Sequence, residues 1–199
     1  MNKIKIMKQL CIITLLFLSI VGYSQVIVPL ENKHDHMEAN GGAVPINTYY
    51  QDVNNVLTAY VGTWKGVSPD NEYNYTITFS IDNKVNALDH FYEDELVVDY
   101  IIRDVNGIII DKTERGIADR NYLSASGLSL EATSYIFYYA GKEQLCGQNG
   151  DFFVTPVNTT TLRIWVTPPN SDFINVPEMC PNGRAPQLFP LKSIPLTKQ

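Results

Sequence analysis

Apolar and polar residues alternate along most of the chain after residue 60. The odd-numbered residues from 73 to 81 are apolar, the even-numbered residues from 74 to 80 are polar, and the even-numbered residues from 96 to 102 are again apolar. A period of two places every second side chain on the same face, as in a strand with one buried face. Further strands are predicted at 60–67, 134–140, 151–155 and 160–167.

These strands predict an all-β fold with one short helix before them. About eight to ten strands at this spacing favour an antiparallel meander that closes into a β-barrel, and a β-sandwich is the alternative because it shows the same alternation. Asn106-Gly107, between Val105 and Ile108, predicts a hairpin with a type I′ turn.

The predicted helix covers residues 48–60. Thr48 and Gln51 have the spacing of a capping box, apolar residues follow at helical spacing, and Gly62 ends the pattern. The helix opens the domain and leads directly into the first predicted strand.

The remaining segments divide into a lead-in, one domain and a proline-rich end. Residues 25–47 show no periodicity and are expected to be an extended lead-in, and residues 48–199 form a single domain. Seven prolines interrupt the segment from 168 to 199. Because each proline removes a ladder donor, this segment is predicted to be a long loop followed by an edge strand at 192–197.

Residues 1–24 have the three parts of a secretory signal peptide. Lys3, Lys5 and Lys8 precede an apolar run at 10–21, and small residues lead to a cleavage site after Ser24. The run is shorter than the ~20 residues that span a bilayer. No cysteine stands where a lipoprotein is acylated. The mature protein is therefore expected in the periplasm or outside the cell, without a membrane span or a lipid anchor.

The charge balance narrows the possible partners. The chain has 15 Lys and Arg residues against 21 Asp and Glu residues, a net charge of -6, and 18% charged residues. An acidic chain without basic runs repels a phosphate backbone, which excludes nucleic acid as a partner. A hydrophobic content of 45% also excludes a disordered acidic tail.

Removal of the signal peptide leaves two cysteines, Cys146 and Cys180. An even number in an oxidising compartment favours one disulfide, and both cysteines lie in turn-like contexts with Gly, Asn or Pro nearby. Two separate thiols in redox chemistry or metal binding are the alternative, although the chain has no Cys-x-x-Cys motif.

The sequence contains few residues that indicate catalysis. It has no Gly-x-Ser-x-Gly, no His-Glu-x-x-His and no phosphate-binding Gly-rich loop. His34 and His36, and the acidic segment around Asp89 and His90, have residue types that bind zinc or calcium, but solvated loops are the simpler interpretation. We therefore expect no enzymatic activity, no metal and no cofactor. A secreted hydrolase or metal-dependent enzyme that uses these residues is the third alternative.

Aromatic residues make up 11% of the chain. On the apolar faces of the predicted strands they either line a cavity for one small molecule or fill the core, and a barrel of about eight strands accommodates both arrangements. The candidate ligand-binding residues on these faces are Trp64, Tyr75, Ile77, Phe79, Tyr100, Phe137 and Tyr139.

Gly62-Thr63-Trp64 resembles the Gly-x-Trp motif in the first strand of lipocalins and other calycin-like barrels. In those proteins a short helix precedes the strand, the Trp closes one end of the barrel, and an Arg from a late strand packs over the Trp. The resemblance implies a lipocalin-like barrel, with Arg163 as the candidate for that Arg.

A second resemblance extends over nearly the whole mature chain. It rests on the segments 28–31, 50–55, 60–66, 146–150, 180–183 and 196–199. Together these segments resemble a family of small exported proteins from Bacteroidota that is catalogued only as a domain of unknown function. The resemblance implies export, and it implies no activity, ligand or catalytic residue. Both mature cysteines fall in the shared segments, in keeping with a disulfide.

The sequence thus predicts an exported, non-enzymatic protein that binds a small apolar or amphipathic ligand at the mouth of a lipocalin-like barrel. The alternative is an interaction module, secreted or in the cell envelope, whose core is solid. In that case its loops or its proline-rich end recognise a protein partner.

The intact mass of the protein purified from its own cells tests the predicted cleavage. We expect a polypeptide that begins at Gln25, because a small residue at position 24 suits signal peptidase. Ser24→Phe, which places a large side chain before the cut, is expected to leave the precursor uncleaved. An exported wild-type polypeptide that retains Met1 would contradict the prediction.

Overall fold

Almost all regular structure in the chain is β-strand. The computed structural model describes residues 25–87, 91–114, 122–168 and 180–199. The strands are β1 (Val26–Pro29), β2 (Thr48–Gln51), β3 (Gly62–Val67), β4 (Tyr73–Ala87), β5 (Phe91–Asp104), β6 (Ile109–Lys112), β7 (Tyr122–Leu128), β8 (Tyr135–Ala140), β9 (Asn149–Asn158), β10 (Thr161–Thr167) and β11 (Ile194–Lys198). One α-helix, α1 (Lys33–Ala39), lies in the described residues, with 3-10 turns at Leu30–Asn32, Val56–Ala59 and Gln144–Cys146. The predicted all-β class is confirmed.

All eleven strands belong to one sheet. Its order is β1-β2-β5-β4-β3-β11-β10-β9-β8-β7, with β6 paired to β5 outside this path. The β1–β2 and β2–β5 pairs are parallel, and the remaining pairs are antiparallel. The strands predicted from alternation are all present, because each has one buried face.

The free edge of β5 is divided among several partners. β2 pairs with residues 91–93, and β6 pairs with residues 101–103. Between them the backbone N–H of Leu96 donates to the hydroxyl of Tyr135 at 3.2 Å. No ladder joins β7 to β5 in the described residues. The sheet is open, so the predicted closed barrel is wrong, and an open sheet or a sandwich fits instead.

The core lies where the two halves of the sheet face each other. Phe79 of β4 and Phe137 of β8 place their ring centroids 5.9 Å apart. Three strands separate β4 from β8 along the chain, and four separate them in the order of the sheet. Tyr60 and Tyr135 make a second contact of this kind at 6.1 Å. The inward residues of every long strand are therefore covered by the opposite half.

The helix predicted at 48–60 is wrong. Thr48–Gln51 forms β2, and only the short 3-10 turn at Val56–Ala59 follows. The carboxylate of Asp52 accepts the backbone N–H groups of Val56 and Leu57 at 2.7 and 3.1 Å, and these bonds replace the helical ones. The α-helix lies instead at Lys33–Ala39, inside the predicted lead-in.

The β5–β6 hairpin is confirmed, but its turn is not type I′. Only Gly107 has a positive φ, +81°, whereas a type I′ turn needs two such residues. The carboxylate of Asp104 accepts the N–H groups of Asn106 and Ile108 at 2.9 and 2.8 Å. This side chain holds a longer turn closed with a single left-handed residue.

The C-terminal strand is central and not an edge strand. β11 lies between β3 and β10. It pairs with β3 only through Thr197 and Lys198, so Pro195 precedes that short ladder and does not interrupt it. A central strand can thus contain a proline when one of the two neighbouring strands pairs with only part of it and leaves the proline outside that ladder.

Trp64 is fully buried at the centre of the sheet. Its indole N–H donates to the carbonyl of Tyr60 at 2.8 Å. The cation over its ring is Lys198 of β11, with Nζ 5.1 Å from the ring centroid, whereas Arg163 is exposed on the other face. The predicted Arg163 contact is therefore wrong.

Some predictions fall outside the described residues. The signal peptide at residues 1–24 is one, and Asp89 and His90 are the others. Within the described part of the chain, α1 and the other helical segments are too short and too polar to cross a bilayer.

Trp64→Ala is expected to lower the free energy of unfolding by about 3–5 kcal/mol, because it removes a fully buried indole and leaves a cavity. Urea unfolding measures the loss. Trp165→Ala is the matched control, since Trp165 is only half-buried on the outer face, and its loss should be clearly smaller. Equal losses would show that Trp64 does not have the central role in packing that its burial indicates.

Candidate ligand-binding cleft

The candidate ligand-binding residues are all buried in the core. Their exposed fractions are between 0 and 2%. They are Trp64, Tyr75, Ile77, Phe79, Tyr100, Phe137 and Tyr139, and they belong to one continuous apolar cluster. The interior that they would line is filled with side chains, and Tyr75 is the one that also lines the cleft described below.

Phe189 fills the space between the strands that carry these residues. Its ring centroid lies 4.7 Å from that of Phe152, 5.0 Å from Tyr139, 5.1 Å from Tyr100 and 5.9 Å from Tyr75. Phe189 is 1% exposed. The sequence does not predict its position, because Phe189 lies in the proline-rich segment, where no periodicity marks an inward face. Its only signal is an aromatic residue between Leu188 and Pro190.

The segment that carries Phe189 is tied to the loop between β8 and β9. The predicted disulfide joins Cys146 to Cys180, with a Cα–Cα distance of 5.5 Å. The side-chain amide of Gln148 donates to the carbonyl of Pro186 at 2.9 Å, and that of Gln187 donates to the carbonyl of Gly147 at 2.7 Å. We call residues 180–193 the tail segment.

Two further hydrogen bonds hold the tail segment beside Phe189 itself. The hydroxyl of Tyr75 donates to the carbonyl of Leu188 at 3.0 Å. The backbone N–H of Val166 donates to the carbonyl of Pro190 at 2.8 Å. One anchor comes from β4 and the other from β10, so the tail segment bridges both halves of the sheet.

A cleft of about 330 Å³ opens between the tail segment and the β3–β4 turn. Tyr75 and Phe189 form its floor, and their rings are stacked with an angle of 16° between the planes. The remaining lining residues are Ser68, Pro69, Asp70, Tyr73, Gln187, Leu188, Pro190, Leu191 and Lys192. The floor is apolar and the rim carries one acidic and one basic side chain.

The polar groups of the cleft have defined roles. The hydroxyl of Ser68 donates to the carboxylate of Asp70, and this bond, with a second from the backbone N–H of Glu72, lowers the pKa of Asp70. Burial raises the pKa of Tyr75. The side-chain oxygen of Gln187 is buried and has no hydrogen-bond partner among the described residues.

Two buried carboxylates elsewhere bind groups of this chain. Asp94 accepts the hydroxyl of Tyr49 at 2.6 Å and the backbone N–H of Lys84 at 2.9 Å. Asp111 accepts the hydroxyl of Tyr100 at 3.1 Å and pairs with Lys142 at 3.3 Å. These contacts connect strands and turns, which is a structural role.

His34 and His36, considered as metal ligands, lie on α1. The hydroxyl of Tyr50 and Nδ1 of His36 are 3.1 Å apart, and His34 lines a cleft of about 130 Å³ between α1 and β7. Within the described residues, no three His, Cys, Asp or Glu side chains are grouped closely enough to hold a metal ion.

β5 and β7 lie side by side without a ladder between them in the described residues, and we call this region the strip. α1 covers one end of the strip. Lys33 pairs with the buried carboxylate of Glu93, and its ammonium lies 5.5 Å from the ring centroid of Phe91. Burial, and next the charge of Glu93, raise the pKa of Glu95. At the other end of this strip a shallow cleft of about 290 Å³ lies between residues 95–98 and 123–125.

The profile of one protein family matches residues 7–149. The chain belongs to this family of unknown function (DUF6705). No curated protein matches the chain, and no solved structure matches it. The family membership confirms the domain of unknown function. The matched residues include the β3–β4 side of the cleft, and the tail segment lies beyond them.

Stability is expected to fall as the pH rises above 10. Burial, together with the hydrogen bond to Asp94, raises the pKa of Tyr49 from 10.0 to about 12, and burial also raises the pKa of Tyr75, Tyr100 and Tyr139. A raised pKa means that the folded protein holds the proton more tightly than the unfolded chain does. The stability that Tyr49 contributes is therefore complete below pH 10.0 and is lost as the pH rises through about 12.

Urea unfolding at stepped pH, with phenolate absorbance, measures this loss. Tyr49→Phe removes one of the groups and should make the fall with pH shallower. An unfolding free energy that stays constant from pH 10 to 12 would contradict the burial of these hydroxyls.

Proposed function

We propose that the protein is an exported, non-enzymatic binding protein whose cleft between the tail segment and the β3–β4 turn holds a small amphipathic ligand. The signal-peptide pattern of the sequence supports export. The observation that carries the binding proposal is the cleft itself, because about 330 Å³ lies within the range of small-molecule pockets.

The lining of the cleft suits a ligand with an apolar part and a polar part. Tyr75, Phe189 and Leu188 offer flat apolar surface at the floor. Asp70 and Lys192 stand at the rim, where a polar group of the ligand meets water and charge.

The same lining argues against catalysis. None of the described residues that line this cleft is a Cys or a His. The hydroxyl of Ser68 donates to Asp70 and accepts the backbone N–H of Tyr73 at 2.9 Å, so it closes a turn and is not held by a general base. Binding without chemistry is therefore the activity that these residues support best.

A partner-binding role is the second candidate, and one observation favours it. The outer face of the sheet carries a row of apolar residues across β8, β9 and β10: Ile136 pairs with Phe153, and Phe153 pairs with Trp165. The last two rings are stacked 5.0 Å apart, and Tyr138 beside them is 41% exposed. A filled core and an apolar outer face are features of an interaction module.

Fluorescence of N-phenyl-1-naphthylamine, an uncharged amphipathic probe, tests the cleft. We expect wild-type protein to bind the probe and Leu191→Asp to bind it about tenfold more weakly, because the substitution places a charge on the apolar wall. Leu145→Asp is the matched control, since Leu145 is also exposed, 69% against 59% for Leu191, and lies outside the cleft. No binding to wild-type protein, or equal weakening by both variants, would refute the cleft and favour the outer face.

A further inference from the structure

Phe189 separates the cleft from the interior of the sheet. Its ring lines the cleft beside Tyr75, and it also contacts the rings of Tyr100, Tyr139 and Phe152, which are not part of the cleft lining. At 1% exposure, Phe189 is almost completely buried. Tyr75 belongs to both regions, because it lines the cleft and is part of the core cluster.

The tail segment has fewer backbone hydrogen bonds than the strands around it. It contains no helix or strand between Cys180 and Ser193. Beside Phe189 it has two anchors, the bonds from Tyr75 to Leu188 and from Val166 to Pro190. Segments with few backbone hydrogen bonds open at lower free-energy cost than the strands of a ladder. The disulfide at Cys180 keeps the segment attached when it opens.

The surroundings of Phe189 define what can take its place. Tyr75, Tyr100, Tyr139 and Phe152 contact the ring by one stacked, one tilted and two edge-to-face arrangements. Such a site accepts a flat ring and gives a chain-like alkyl group fewer favourable contacts. A ligand ring that takes the place of the Phe189 ring regains the aromatic contacts that the Phe189 ring gives up.

We propose that Phe189 is a displaceable plug, and that the ligand of the cleft carries a planar aromatic group that enters the interior in place of the Phe189 ring. This inference rests on the proposed function, because it deepens the same cleft. The ligand class is an aromatic ring with a polar substituent that remains at the rim. In the free protein the Phe189 ring of the tail segment occupies this interior site. The ligand binds the open state more tightly than the closed state, and it therefore shifts the population towards the open state.

Amide hydrogen exchange at two reference positions tests the plug with N-phenyl-1-naphthylamine as the probe. The Val166 amide donates to Pro190 next to Phe189, and the Ala185 amide donates to Cys146 at 2.8 Å beside the disulfide. If the ring leaves, saturating probe should speed exchange of the Val166 amide by tenfold or more and leave the Ala185 amide unchanged.

Tyr75→Phe provides the second readout. It removes the hydrogen bond to Leu188, so the plug opens more easily and the probe should bind several-fold more tightly. Tyr49→Phe is the matched control, because it also removes a buried tyrosine hydrogen bond, 2.6 Å to Asp94, away from the cleft. Its probe affinity should equal that of the wild type.

The outcomes separate the two proposals. Probe binding with unchanged or slower exchange at Val166 would overturn the plug and leave the cleft as a shallow site. Absence of binding to wild-type protein would overturn both. If either variant fails to fold, the exchange experiment on wild-type protein decides alone.

Discussion

The packing of Phe189 between rings from β4, β5, β8 and β9 is the contact on which the rest of the structure depends. An open sheet of eleven strands has to bury its inner face without a ladder to close it. The two halves face each other, and the ring of Phe189 fills the gap between them at 4.7 to 5.9 Å from four neighbours. Without it the interior is a cavity, and apolar side chains lose their packing partners.

The edges of the sheet are covered by short strands, single side chains and α1. β5 meets β2, a tyrosine hydroxyl and β6 along one edge, and α1 covers part of the strip towards β7 with a partly buried Lys33–Glu93 pair. A strand edge with unpaired backbone groups is a site for unwanted association. The protein covers such an edge with short elements and side chains where a barrel would use one more ladder.

Alternation predicted the strands because each has one buried face, as β4 shows from Tyr75 to Phe79. The helix at 48–60 failed because Asp52 binds the backbone N–H groups that a helix would use, and local periodicity does not reveal such a competitor. The seven candidate ligand residues were correctly placed on inward faces. The packing of these residues against Phe189 was not predictable, because Phe189 lies in a segment without hydrophobic periodicity. That segment is held by the disulfide at Cys180.

The central position of β11 has a consequence for how the chain folds. Among the described strands, β11 alone pairs with both β3 and β10, so it joins the two halves of the sheet by backbone ladders. The ladder that connects the two halves therefore cannot form until residues 194–198 have been synthesised. Long-range pairing of this kind slows folding and prolongs the exposure of apolar strands. A chain that stops a few residues early keeps every core aromatic and loses the strand that brings them together.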